Sequence, residues 1–292
     1  MQVLLSPEFQ ARLEGLVIAL RRSLPSTARG ERRSAVKKGL SLEFADHRAY
    51  VPGDDVRHLD WASYARLDQL VLKLYHDEED LQLNVLVDDS ASMSFGSPTK
   101  ASFARQAAAA LAWIGLVNDH RVTLGLLRDE IDVVPAARGR GSMQRFLEAL
   151  AEEQAPAAFS LHEAVRAFAA RTRPRGAIVV LSDLLDRDGV VAALKTLEHP
   201  TRELHVVHVL APEEVEPESF GDFRYVDSET GEKVEVSLTA AVVEGYQRTV
   251  RAFQADCAEN CRRRNATYSF ARSDASLEDF VLRTLVREGV LR

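Results

Sequence analysis

The chain has 292 residues, 46% hydrophobic and 28% charged, which is enough apolar material for one large core or for one domain with an extension. Its formal net charge of −7 and pI near 5.7 argue against general nucleic-acid binding. No apolar run reaches the length of a membrane span and the first residues lack a secretory signal's long apolar core, so a cytoplasmic protein with no membrane span is expected.

Phe9, Leu13, Leu16, Val17 and Leu20 recur at helical spacing and predict a helix from Pro7 to Leu24. A basic stretch from Arg29 to Lys38 follows, read as a solvated loop or as a contact for an acidic partner. From Gly39 to Lys73 no long period is visible, but special residues crowd together: Glu43-Phe44, Arg48, Tyr50, Pro52-Gly53-Asp54-Asp55, Arg57, Asp60-Trp61 and Ala65-Arg66. Pro-Gly-Asp-Asp signals a turn. Arginines among aspartates suit forked ion pairs, which with Trp61 would hold this loop-rich segment on a sheet. Leu70 to Tyr75 then reads as a strand, and residues 1–78 as an N-terminal extension to a domain spanning 79–292.

Leu81 to Val87 is a short apolar run bounded by acidic residues, the pattern of a buried parallel strand. It ends in Asp88-Asp89-Ser90-Ala91-Ser92. Asp88, Ser90 and Ser92 share a spacing of two, so a turn can aim three oxygens into one space. A carboxylate with hydroxyls and no Cys or His suits a hard divalent cation such as Mg²⁺ or Mn²⁺. The same residues would also serve simply to turn the chain and cap the next helix.

Ala101 to Val117 is an Ala-rich helix, Arg121 to Leu127 a strand, and Asp129-Glu130 a hairpin turn before Ile131 to Ala136. Helices are expected over Ser142–Ala151, Leu161–Arg171 and Val190–Leu197, and strands over Ala177–Leu181 and Glu203–Leu210. The pattern changes between 212 and 238, where Phe223–Val226 and Lys233–Val236 flank a Thr230-Gly231 turn and form a β-hairpin insertion. A long helix from Thr239 to Arg264, a strand from Thr267 to Ala271 and a helix from Leu277 to Arg287 close the chain. Cys257 and Cys261 lie one turn apart on the long helix and read as buried apolar residues, not as a metal pair or a disulfide.

Alternating strands and helices predict a doubly wound, mostly parallel α/β sheet. In such sheets ligands bind beyond the carboxyl ends of the strands, at the point where strand order reverses. Counting the hairpin strand as an antiparallel edge puts the Ala177 strand beside the Leu81 strand. Its terminal Ser182-Asp183 would then adjoin Asp88, making Asp183 a further candidate ligand, or alternatively a helix cap.

These residues together resemble a known arrangement. Asp88-x-Ser90-x-Ser92 with Asp183 after a later strand is similar to the metal-ion-dependent adhesion site of von Willebrand factor A domains, which have a Rossmann-like fold. The block from Glu43 to Arg66 resembles the signature of the domain-of-unknown-function 58 family, placed just ahead of a von Willebrand factor A-like domain. The resemblance implies a non-enzymatic protein-binding module whose cation keeps an open position for a partner's carboxylate. It also implies a partner, since family members are often encoded beside MoxR-type AAA+ ATPases and are thought to act as their adaptors. The chain departs from the adhesion site at its threonine: Phe159 stands there, and Ser160 is one residue away. Two other readings stay open: a divalent-metal-dependent hydrolase using Asp88 and Asp183, and a metal-free scaffold. Gly96 to Lys100 is no P-loop and no Gly-x-Ser-x-Gly elbow occurs, so nothing else marks an enzyme.

Overall fold

The structure, a computed structural model, describes residues 5–19, 44–51, 59–75, 81–152, 159–217, 221–226 and 233–292. The chain forms two compact units, Ser26–Asp80 and the larger remainder, Met1–Pro25 with Leu81–Arg292. The first residues therefore belong with the main unit and not with the extension to which the sequence reading assigns them.

In the smaller unit β1 (Phe44–Ala49) pairs antiparallel with β2 (Val71–Tyr75), and α2 (Trp61–Leu67) lies between them in sequence. Buried Asp60 fixes the start of α2 by accepting from Ser63 N at 3.3 Å and Ser63 Oγ at 2.8 Å. Both β1 and α2 fall where the sequence suggested irregular loop. Trp61, expected to anchor this segment, is 60% exposed and meets Tyr64 edge-on.

The larger unit is built on a six-stranded sheet. Its strands are β3 (Gln82–Asp88), β4 (Arg121–Leu127), β5 (Asp132–Ala137), β6 (Gly176–Ser182), β7 (Arg202–Leu210) and β10 (Thr267–Arg272), in the order β10-β7-β6-β3-β4-β5. All pairings are parallel except β4 with β5. Strand order reverses between β3 and β6, which pair from Leu83 with Ala177 to Val87 with Leu181, as strand counting anticipates.

Alternation along the strands divides two cores between the two faces. Val85, Val87, Leu124 and Leu181 pack with α3 (Lys100–Val117), α4 (Met143–Ala151) and α1 (Pro7–Leu13). Leu86, Ile178, Val180 and Val206 pack with α5 (Leu161–Thr172), α6 (Arg187–Leu197) and α8 (Ala240–Arg263). Cys257 and Cys261 form no disulfide and are buried in this second core, as their helical spacing predicts.

Close approach needs small residues at the contacts. Ala104, Ala107, Ala108 and Ala112 of α3 are fully buried on the sheet. A Cβ on Gly115 would come within 2.7 Å of Val122 Cγ2, so the helix can lie this flat only with glycine there. Gly125 of β4 likewise leaves room for the Phe168 ring of α5, which a Cβ would meet at 2.8 Å.

Two terminal predictions need correction. The first helix stops at Leu13, not Leu24, and after Gly15 the chain turns extended: Val17 and Arg292 exchange backbone hydrogen bonds, and Ile18 bridges Leu291. Pairing with the C-terminal residues overrides the helical period there. The last helix begins as α9 (Leu277–Asp279), widens into a π-helical stretch over Phe280–Thr284 and ends as α10 (Leu285–Arg287). After β7 come α7 (Pro212–Val215) and the expected hairpin, β8 (Gly221–Val226) with β9 (Lys233–Leu238). No helix among the described residues is long and apolar enough to cross a membrane.

Candidate functional site

At the reversal point two strands end side by side in polar residues. Asp88 closes β3 and is 4% exposed. Its Oδ1 accepts from Ser90 N at 3.0 Å, which turns the chain into a single 3₁₀ turn over Ala91–Ser94 and brings Ser90 Oγ within 3.0 Å of Ser92 Oγ. Ser182 closes β6, and its hydroxyl donates to Asp88 Oδ2 at 2.5 Å. Buried Asp183 comes next. Leu184 then adopts φ 58°, a left-handed conformation costing a bulky residue about 1–2 kcal/mol. This turn aims two successive amides back at the strand end: Leu184 N donates to Ser182 Oγ at 3.0 Å and Leu185 N to Asp183 Oδ1 at 3.3 Å.

A third element enters from α3. Thr99 caps that helix by accepting from Ser102 N at 3.2 Å, which fixes Lys100 as its first residue. Lys100 is fully buried, and its Nζ lies 2.8 Å from Asp183 Oδ2 and 2.6 Å from Glu214 Oε1. Glu214 is held on α7, where its Oε2 accepts from Ala211 N at 2.8 Å. With every group ionised, Asp183 and Glu214 share one ammonium, and Asp88 adds a third carboxylate close to Asp183. Burial, then the neighbouring Asp183 charge, push the Asp88 carboxyl up to about 7, against the hydrogen bonds from Ser182 and Ser90 that favour its charged form. Beneath the cluster His208 is buried, with Nδ1 2.7 Å from the Tyr268 hydroxyl, and burial pushes it down to about 4, so it is neutral at ordinary pH.

The adjacent aspartate has a different fate. Asp89 receives Arg105 Nη2 on Oδ1 and Arg128 Nε on Oδ2, both at 2.7 Å, and Arg128 also donates to Glu152 O at 3.0 Å. Two guanidiniums thus clamp Asp89 between β3, α3 and the end of β4, while no cation among the described residues lies on Asp88.

Of the residues picked from sequence, Asp88, Ser90, Ser92 and Asp183 converge on this edge. Ser160 takes no part in that hydrogen-bond network: it is exposed and caps α5 through Glu163 N at 3.4 Å, while Phe159 packs on the second core. Glu43, Gly53, Asp54, Asp55 and Arg57, the side chain of Arg48, and the basic loop Arg29–Lys38 lie outside the described residues. Tyr50 is half-buried and its amide donates to Leu70 O at 2.9 Å; Arg66 is exposed on α2. Lys100 and Glu214 were missed. The only signal for Lys100 was a lone lysine opening an alanine-rich helix, and Glu214 had none. Among the described residues no three His, Cys, Asp or Glu side chains gather as a metal-ligand group, so any cation here would rely on hydroxyls beside the carboxylates.

Residues 46–256 match the family described as "Protein of unknown function DUF58". Uncharacterized proteins of Mycobacterium bovis and Mycobacterium tuberculosis are 30% identical over 274 residues, covering 92% of this chain and 86% of theirs. Among solved structures, the conserved hypothetical protein BatB from Bacteroides thetaiotaomicron is similar at 16% identity and a TM-score of 0.42, over 71% of this chain and 98% of that one. An aerotolerance-related membrane protein from Bacteroides fragilis is similar at 20% identity and a TM-score of 0.44, over the same 71% and 98%.

Proposed function

Since the chain belongs to the family of proteins of unknown function DUF58, we propose that it is a non-enzymatic, metal-ion-dependent protein-binding module and an adaptor for a MoxR-type AAA+ ATPase. The observation that carries this reading is the excess of carboxylates over cations at the strand-order reversal, with Asp88 and Asp183 both buried there, where α/β sheets bind ligands. A divalent cation neutralises that excess. Asp88, Ser90 and Ser92 would hold it, with Asp183 nearby. Two ligands at right angles on an ion with oxygens at about 2.1 Å lie about 3.0 Å apart, and the two serine hydroxyls are 3.0 Å apart. Once held, the ion supplies an open position for a partner's carboxylate. Mg²⁺ and Mn²⁺ fit this oxygen set best.

One observation favours a second reading, a metal-free scaffold. The Lys100 ammonium already sits on Asp183, the carboxylate that a cation would share. Calorimetric titration of Mg²⁺ into chelator-stripped protein separates the two. The binding module predicts a saturable heat at millimolar or lower Mg²⁺, lost in Asp88→Ala. Because Asp88 titrates near 7, binding at pH 6 should also release close to one proton, seen as a dependence on buffer ionisation heat that disappears by pH 8.5. Equal, featureless heats for both proteins would leave only the scaffold.

A further inference from the structure

The opposite end of the sheet carries a second feature. A cavity of about 730 Å³ opens where β7 and β10 begin, between the C-terminal ends of α6 and α8. That is the volume of a small-molecule site. Lys195, Arg202, Arg262 and Arg264 line it against Glu198 and Glu203, so a chain of net charge −7 has a cationic hollow here.

Arg262 pairs with Glu259, whereas Lys195, Arg202 and Arg264 lack a carboxylate partner among the described residues. Arg202 donates only to main-chain carbonyls, Pro174 O at 2.8 Å from Nε, and Leu197 O at 3.2 Å and Thr196 O at 3.4 Å from Nη1. Arg264 Nη1 donates to Asn260 O at 2.9 Å and lies 3.4 Å from Asn260 Oδ1. These bonds close the two helix ends and offset part of the charge through the helix dipoles. They leave Arg202 Nη2 and Arg264 Nη2 without a hydrogen bond among the described residues, and Arg264 Nε is buried with no acceptor. The two Nη2 groups, unlike the sealed Nε, keep accessible surface and are the donors this wall offers to an acceptor in the cavity. Burial also lowers the proton affinity of Arg202, as expected of a guanidinium drawn from water without a counter-ion. Leu197, Leu204 and Ala266 add apolar floor beside the charged wall.

We propose that this cavity is a binding site for an organic phosphate of nucleotide size, its phosphoryl oxygens taken by Arg202 and Arg264 and its organic part laid on the apolar floor. Guanidinium forks match phosphate oxygens better than an ammonium does. The site is independent of the Asp88 cluster, and the proposal stands or falls apart from it.

Titrating ADP, and separately inorganic phosphate, into chelator-treated protein provides the test. ADP is expected to bind saturably with a Kd below about 1 mM, at least about fivefold tighter than phosphate. Arg264→Lys keeps a cation at the helix end but removes the guanidinium's unbonded Nη2 edge, and should weaken ADP binding about tenfold. Arg202→Lys is the second variant, with the same expectation, should the first fail to fold. Absence of saturable ADP binding up to about 10 mM, phosphate binding as tightly as ADP, or unaltered affinity in a folded variant would each overturn the assignment.

Discussion

Replacing Lys100 by methionine is expected to destabilise the chelator-treated protein by about 3–5 kcal/mol, the usual penalty for removing one partner of a buried ion pair. The side chain is fully buried and its ammonium answers two carboxylates, Asp183 and Glu214, that no other cation approaches among the described residues. Methionine fills a similar volume, so lost charge and not a cavity would dominate. Part of the loss should return in the Lys100→Met, Glu214→Gln double variant, because removing the second charge relieves repulsion with Asp183. Urea unfolding of the wild type, both single variants and the double variant measures the coupling. Additive effects would mean that the three groups do not act as one unit.

Asp88→Asn is expected to do the opposite and stabilise the metal-free protein at pH 8. The folded state holds a proton on Asp88 up to about 7, whereas the free carboxyl loses it near 3.8. Between those values the folded form binds more protons than the unfolded form, so this group's contribution to stability falls as pH rises from about 4 to about 7 and is level above. At about 1.4 kcal/mol per pH unit, the charged carboxylate costs on the order of 4 kcal/mol at pH 8. Asparagine keeps an acceptor for Ser90 N and a group able to bond Ser182 while removing the charge. Its advantage in melting temperature should therefore shrink steadily as pH is lowered toward 4. Saturating Mg²⁺ should reverse the order at pH 8 by stabilising the wild type alone. A variant less stable than wild type at pH 8 in chelator would show that Asp88 is compensated some other way.

The sheet was readable because its strands are short apolar runs alternating with helical periods, a pattern with one dominant solution. Strand counting alone put Asp183 beside Asp88, and the pairing of β3 with β6 bears that out. Other features depend on long-range contact. A lysine opening a helix ordinarily reaches solvent, and only the fold brings Asp183 and Glu214, from positions far along the chain, onto Lys100. The end of α1 was misplaced because a helical period from Leu16 to Leu20 says nothing of the C-terminal residues waiting to pair with Val17 and Ile18. In the smaller unit, α2 is a seven-residue helix, too short for a period to show. The cationic cavity left no trace because its residues come from two segments far apart in the chain, 195–205 and 262–267, each with the bland look of a helix end leading into a strand.

The central claim, that a partner docks on a cation held at the Asp88 edge, is tested most directly by capture of a purified MoxR-type ATPase on the immobilised protein, in Mg²⁺ and in chelator. Capture should be strong in Mg²⁺ and fall at least about tenfold, a coupling of about 1.4 kcal/mol or more, both in chelator and in Asp88→Ala with its circular dichroism unchanged. Capture of equal strength in Mg²⁺, in chelator and by Asp88→Ala would contradict the account and place the docking surface away from this edge.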